Sequence, residues 1–175
     1  MTGTIAGRQF SSTRERYDFY PTEPRWVHPL LRRIKFEGEI LEPCAGDGAM
    51  AKVLQDAGYE VRASDIAPRA PWIQTADALQ IQSAQNIVTN CPFRGTFEMV
   101  QHWLPITRGH VAVLTVVSFL ESKKRGAFFQ INPPHKIIMV AGRMDVFGKK
   151  SQFPHVWIVW KRGYQGPCFF EWSIP

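Results

Sequence analysis

The chain has 175 residues, 45% hydrophobic and 21% charged, a composition that suits one globular domain with a single core and excludes disorder throughout. Its longest apolar run, "HVAVLTVVSFL" at 110–120, is too short to span a bilayer, and the N-terminus lacks the apolar segment of a signal peptide, so a cytosolic protein with no membrane partner is expected. The net charge of +6 is unevenly spread, +4 over residues 1–36, −4 over 37–119, +7 over 121–162 and −1 in the tail. A basic half beside an acidic half suggests a polyanion met by one face, although a basic run also serves simply as a solvated surface.

No repeat, low-complexity segment or linker divides the chain. Residues 1–16, "MTGTIAGRQFSSTRER", are polar, glycine-containing and basic, and are expected to form a mobile arm. Residues 17–175 then form one domain, with no room for a separate target-recognition domain. "RWVHPLLRRI" at 25–34 is helix-like, with Pro29 marking a start or a break. "GEILEP" predicts a strand over 38–43, "GAMAKVLQDAG" a helix over 48–58 closed by Gly58, and "YEVRASDI" a second strand over 59–66. "WIQTADAL" predicts a short third strand, "QNIVTN" a fourth, "TFEMVQHWLPI" a helix over 96–106, and 110–120 a fifth, buried strand. A basic segment "ESKKRGAFFQINPP" leads to a strand "HKIIMVAG", a polar basic loop "RMDVFGKKSQFP" and a last strand "HVWIVWKRG". Strands alternating with helices imply a mostly parallel, doubly wound α/β sheet with ligands at the strands' carboxyl ends. Cys44, Cys91 and Cys168 are odd in number and lack metal-ligand spacing, so all three are read as reduced thiols, with no metal site.

The first strand runs into "EPCAGDGAMA". Gly46, Gly48 and Ala51 fit G-x-G-x-x-A, whose glycines permit a tight turn and close backbone approach to a ligand at a helix N-terminus. Asp65 follows Gly46 by 19 residues, where an acid accepts hydrogen bonds from ribose hydroxyls. A nucleoside cofactor is indicated, and NAD and S-adenosylmethionine both satisfy this pattern.

The fourth strand ends in Asn90-Cys91-Pro92-Phe93. A turn accounts for Pro92. It does not account for Asn90 or Phe93. With "EPCAGDG" before it and "DFYPTEP" at 18–24, the chain resembles the S-adenosylmethionine-dependent amino-methyltransferases, whose tetrapeptide here is Asn/Asp/Ser-Pro-Pro-Tyr/Phe/Trp. The likeness covers most of residues 18–162 and is greatest to small phage-type DNA N6-adenine methyltransferases, in which a late strand like "HVWIVWKRG" is familiar. It implies a single-domain, Rossmann-like class I methyltransferase fold with an antiparallel strand near the C-terminus, in a bacterial or phage-infected cell. It also implies S-adenosylmethionine as cofactor and double-stranded DNA as partner; nothing in the sequence indicates an oligomer.

The same resemblance assigns roles. The lone pair of adenine's exocyclic amine is delocalised into the ring, so the Asn90 side-chain oxygen and the Cys91 backbone carbonyl accept its hydrogens while Phe93 stacks on the flipped base, with Pro92 shaping the turn. Cys91 departs from the family's proline but still offers a carbonyl; the alternatives are a small buried filler or a nucleophile, and nothing nearby in sequence lowers the thiol pKa. The implied cofactor site comprises Tyr20, Pro21, Thr22, Glu42, Cys44, Ala45, Gly46, Asp47, Gly48, Asp65, Ile66, Asp77 and Ala78. Tyr20 and Thr22 hold the methionine end or merely pack. Glu42 and Asp47 approach the cofactor's ammonium or remain loop charges, and Asp77 lies near the adenine or caps a helix. The five histidines show no paired spacing and are read as structural. Lys123, Lys124, Arg125, Arg143, Lys149 and Lys150, interleaved with aromatics, are the candidate nucleic-acid contacts. RNA adenine, protein glutamine, a cofactor- or nucleic-acid-binding module without turnover, and a nicotinamide dehydrogenase are the alternatives.

Overall fold

The computed structural model describes residues 21–174 apart from 94, 147, 148 and 152. The expected arm over 1–16 lies outside the described residues, as does Tyr20. The elements are a 3₁₀ turn Pro24–Trp26, α1 His28–Leu31, β1 Ile40–Glu42, α2 Ala49–Asp56, β2 Val61–Asp65, β3 Gln74–Thr75 and β4 Asn86–Thr89. They continue with α3 Thr96–Ile106, β5 His110–Val116, α4 Lys123–Ile131, β6 Lys136–Val140, a hairpin of β7 Asp145–Val146 and β8 Lys149–Lys150, β9 His155–Lys161 and β10 Phe169–Ser173.

Eight strands form one sheet in the order β3-β2-β1-β4-β5-β9-β6-β10. All neighbours are parallel except β9, which runs antiparallel between β5 and β6 with Ala112 opposite Val159 and Ile138 opposite Trp157. The central strands are largely apolar because side chains on both faces are covered, with Glu42, Asn86, Thr89 and Thr115 among the buried polar exceptions. On one face Trp26, Leu30, Leu54, Leu114, Ile138 and Trp157 pack together; on the other, Leu41, Ile87, Trp103, Val113, Ile158 and Trp160 do.

Local chemistry fixes the ends of the elements. Pro29 falls in the first turn of α1, where its missing N–H has no intrahelical partner to lose. Gly58, at φ 89°, closes α2 as its N–H meets the Gln55 carbonyl and the Tyr59 N–H meets that of Leu54. That pair of bonds is the left-handed helix stop for which glycine is suited. At the other end of the sheet the buried Asn86 ties three segments together: Nδ2 donates to the carbonyls of Glu37 (2.8 Å) and Glu39 (3.1 Å), and Oδ1 accepts from the His110 N–H at 3.0 Å.

Three expectations change. The 110–120 run is a strand only to Val116 and then tightens into a 3₁₀ turn over Val117–Leu120. The basic segment after it contains α4, whose N-cap Ser122 accepts from the Arg125 N–H. The tail, for which no strand is expected, supplies β10: Glu171 pairs with Arg33 and Lys136, and Ser173 accepts from Arg32 and Arg33. Asn86→Ala is expected to destabilise the chain by about 2–4 kcal/mol, because buried groups lose all three partners. Urea unfolding with an unchanged m-value would measure this.

Candidate active site

The strand order reverses between β1 and β4, so the loops leaving their carboxyl ends part and open a crevice. A cavity of about 760 Å³, its open mouth included, occupies that crevice. After β1 the chain passes through Gly46 and Gly48, at φ 54° and 81°, into α2. A Cβ on Gly48 would lie 2.2 Å from the Trp72 ring, so the loop also packs too tightly for any side chain there. Asp65, at the end of β2, locks this loop. Its two carboxylate oxygens accept the N–H groups of Gly46 and Ala67, each at 2.8 Å. Asp47 accepts from the Ala49 N–H at 3.0 Å.

Four carboxyl groups, Glu42, Asp47, Asp65 and Asp77, line the cavity, and Glu42 is fully enclosed with its Oε2 unpartnered among the described residues. Burial pushes the Glu42 carboxyl well above its ordinary value; the backbone of Ala51 opposes this, while Asp47 and Asp65 add to it. Asp77 lines the same cavity and also caps the following 3₁₀ turn through the Leu79 N–H at 2.9 Å, so both roles read from the sequence are compatible with its position. Pro21, Thr22, Cys44, Ala45, Ile66 and Ala78 line it as well. Gly48 does not, because Trp72 covers it.

Asn90 brings the tetrapeptide to this cavity. Its Nδ2 donates to Thr22 Oγ1 at 3.0 Å, and both residues face the cavity, as does Pro92. The Pro92 carbonyl accepts from the Gly95 and Thr96 N–H groups and from the Thr96 hydroxyl, which pins the turn to the start of α3. The Cys91 side chain points into the core instead, with its thiol donating to Thr96 Oγ1 at 3.4 Å. Burial pushes that thiol up to about 11, so it is protonated at neutral pH and is not a nucleophile. Phe93 is 38% exposed, its ring 6.3 Å from that of His155. Burial holds His155 at about 4, and its Nδ1 has no partner among the described residues.

The basic residues divide. β5 and β6 run parallel to β1, so α4's first turn and the 141–154 loop leave the sheet on the cavity's edge. Lys123 and Lys124 are exposed, with the Lys124 ammonium 5.3 Å from the Phe97 ring. Arg125, expected at a nucleic-acid surface, turns inward: it donates to the carbonyls of Phe119 and Ser118 and stacks on Phe119, bracing the 3₁₀ turn. Arg143 is exposed, and Lys149 and Lys150 lie in β8. The Asp145 N–H donates to Glu23 Oε1 at 2.7 Å, joining that hairpin to the segment that carries Thr22. Pro43, Met50, Ala67, Arg69 and Met99 also line the cavity. The sequence offered a weak signal only for Pro43 and Ala67, which adjoin recognised positions.

No protein-family model matches the chain, and no curated protein does. Solved structures do. A proposed class I S-adenosylmethionine-dependent methyltransferase from Listeria monocytogenes superposes with TM-score 0.62 at 12% identity, over 90% of this chain and 66% of that one. A proposed modification subunit of a type I restriction enzyme from Vibrio vulnificus gives 0.61 at 12%, over 90% and 48%. The 23S rRNA methyltransferase ErmE gives 0.54 at 16%, over 79% and 68%. The chain therefore spans about half to two thirds of these proteins' lengths. It has the Rossmann-like class I methyltransferase fold: a mostly parallel α/β sheet with an antiparallel strand near its C-terminal end. Among the described residues no helix is long and apolar enough to cross a membrane.

The raised Glu42 pKa makes stability depend on pH. The folded state holds this proton more tightly than the unfolded state, so the stabilisation is complete below 4.5 and is lost as pH rises through the folded value. Glu42→Gln, neutral at every pH, should therefore match wild type under acid conditions and melt above it at neutral pH. Thermal melts of both proteins from about pH 4 to 8 would test this.

Proposed function

We propose that this protein is an S-adenosylmethionine-dependent methyltransferase acting on the exocyclic N6 amine of adenine in DNA. The observation that carries the reading is the convergence of the glycine loop, four carboxyl groups and Asn90 on one cavity at the sheet's switch point. The residues fit that cofactor. A buried carboxyl with one oxygen unpartnered among the described residues, beside Asp47 and Asp65, suits a ligand bearing an ammonium and a sulfonium. One Asp65 oxygen accepts from Gly46 of the loop and the other from Ala67 just after β2, and a carboxylate retains further lone pairs for ribose hydroxyls.

When bound, S-adenosylmethionine would supply an electrophilic methyl group, with the amine nitrogen as its acceptor, the thioether as leaving group and the surplus amine proton lost to solvent. Asn90 contributes an oxygen that accepts an amine hydrogen and turns the lone pair out of the ring. Positioning and oriented dipoles lower the barrier without a histidine base. Phe93, exposed beside the tetrapeptide, offers a stacking face for a flipped base. The exposed Lys123 and Lys124, on the cavity's edge of the sheet, suit phosphates. Likeness to a restriction-modification subunit and to an rRNA methyltransferase supports a nucleic acid substrate.

Mass spectrometry of nucleosides from DNA and RNA incubated with protein and cofactor should yield N6-methyladenine in DNA. The same product in RNA alone would transfer the reading to RNA, and no methylated base in either would overturn it. Asn90→Ala should lower turnover about 100-fold or more with cofactor affinity retained. Asp65→Ala should weaken cofactor binding by about 1.5–3 kcal/mol in calorimetry, whereas Cys91→Ser should remain active. Lys123→Gln with Lys124→Gln should reduce the slope of log K against log salt by up to about 0.9 for each phosphate that is no longer neutralised.

A further inference from the structure

We infer that Thr22 couples occupancy of the cofactor cavity to the orientation of the Asn90 carboxamide, so that the bound ligand sets which end of that amide meets the substrate. The inference rests on the methyl-transfer reading and concerns how its site is assembled. A carboxamide has two ends of nearly equal size, one that accepts hydrogen bonds and one that donates them. Only the oxygen end can receive a hydrogen from a substrate amine; the NH₂ end would oppose it with hydrogens of its own. Sterics alone hold neither orientation, so the partner on the far side decides.

That partner is Thr22, whose Oγ1 lies 3.0 Å from Asn90 Nδ2. Thr22 is only 6% exposed, and among the described residues this is its one hydrogen bond, in which it is the acceptor. A hydroxyl carries a single hydrogen. With no other acceptor among the described residues it could equally donate to the amide oxygen of a flipped Asn90, and both orientations would be satisfied. Thr22 also lines the cavity, where a ligand with an anionic group would take that hydrogen. The hydroxyl then has only lone pairs left for Asn90, Nδ2 must face Thr22, and Oδ1 is left for the substrate. The charge-assisted bond at one end of the chain also strengthens the next. Thr22 is thus a positioning residue acting through Asn90, held in place by Glu23, whose carboxylate receives the Asp145 N–H.

S-adenosylhomocysteine and 5′-methylthioadenosine separate the contributions, because only the first carries a carboxylate and neither can transfer a methyl group. In ¹⁵N NMR of full-length protein, S-adenosylhomocysteine should slow exchange of the Asn90 side-chain NH₂ and shift it, whereas 5′-methylthioadenosine should leave it as in the free protein. Thr22→Ser should preserve the response and Thr22→Val should lose it. S-adenosylhomocysteine should also tighten binding of an adenine-containing oligonucleotide about fivefold or more in wild type and Thr22→Ser, and not in Thr22→Val. If S-adenosylhomocysteine binds Thr22→Val and wild type with the same Asn90 response, the coupling is refuted while the methyl-transfer reading stands. If calorimetry detects no binding of S-adenosylhomocysteine to wild type, both fail together.

Discussion

The site depends on one constraint: β1 and β4 lie side by side while their chains leave in opposite directions. Parallel neighbours with both faces covered are largely apolar, and the register of Ile40 with Asn86 and Leu41 with Ile87 aligns their ends. Backbone polar groups therefore reach the crevice only beyond Glu42 and Thr89, where the ladder stops. The first positions past those strands are the glycine loop and Asn90. Asp65 adds the third edge, since the strand that carries it is bonded to β1 and its carboxylate is bonded to the loop. A shift of one residue in any of the three strands would turn a cavity side chain into the core.

The electrostatics follow from this geometry. Loops that converge on a switch point bring their side chains together whatever their charge, and here four acids, Glu42, Asp47, Asp65 and Asp77, meet around one cavity with Arg69. Enclosing a carboxylate among other acids is costly, and the folded chain offsets part of the cost by keeping the Glu42 proton. Binding a cation should lower that affinity for protons, so ligand binding and proton release are linked at this residue.

Much of the fold was legible because its elements are locally determined. Gly58 stops α2 by its own φ, Pro29 starts α1, and the runs at 86–89 and 110–116 are apolar because both faces are covered. The missed elements depend on distant partners. β10 is held by Arg32 and Arg33, some 140 residues away in sequence, and α4 buries no residue fully and begins with three cations in place of acids. At the site, G-x-G-x-x-A and the spacing to Asp65 are local signals, whereas Arg69 and Met99 reach the cavity only through tertiary folding. Asn86 and Asn90 flank the same strand and look alike in the sequence. Only their partners separate them, since Asn86 is spent on three backbone groups, whereas Asn90 bonds the Thr22 side chain and lines the cavity.

Among the described residues β10 is the sheet's edge strand, where Phe169 and Ser173 bond inward to β6. Phe170, Trp172 and Ile174 leave this border apolar and exposed, the composition of a strand that invites another strand beside it. Arg33 and Arg32 close it by donating to the carbonyls of Trp172 and Ile174 at 2.9 and 2.7 Å. An incoming strand would have to displace two guanidinium groups and bring its own backbone alongside their charge. The same pair that fastens the last strand thus guards the border of the sheet against unlimited growth by addition of further chains.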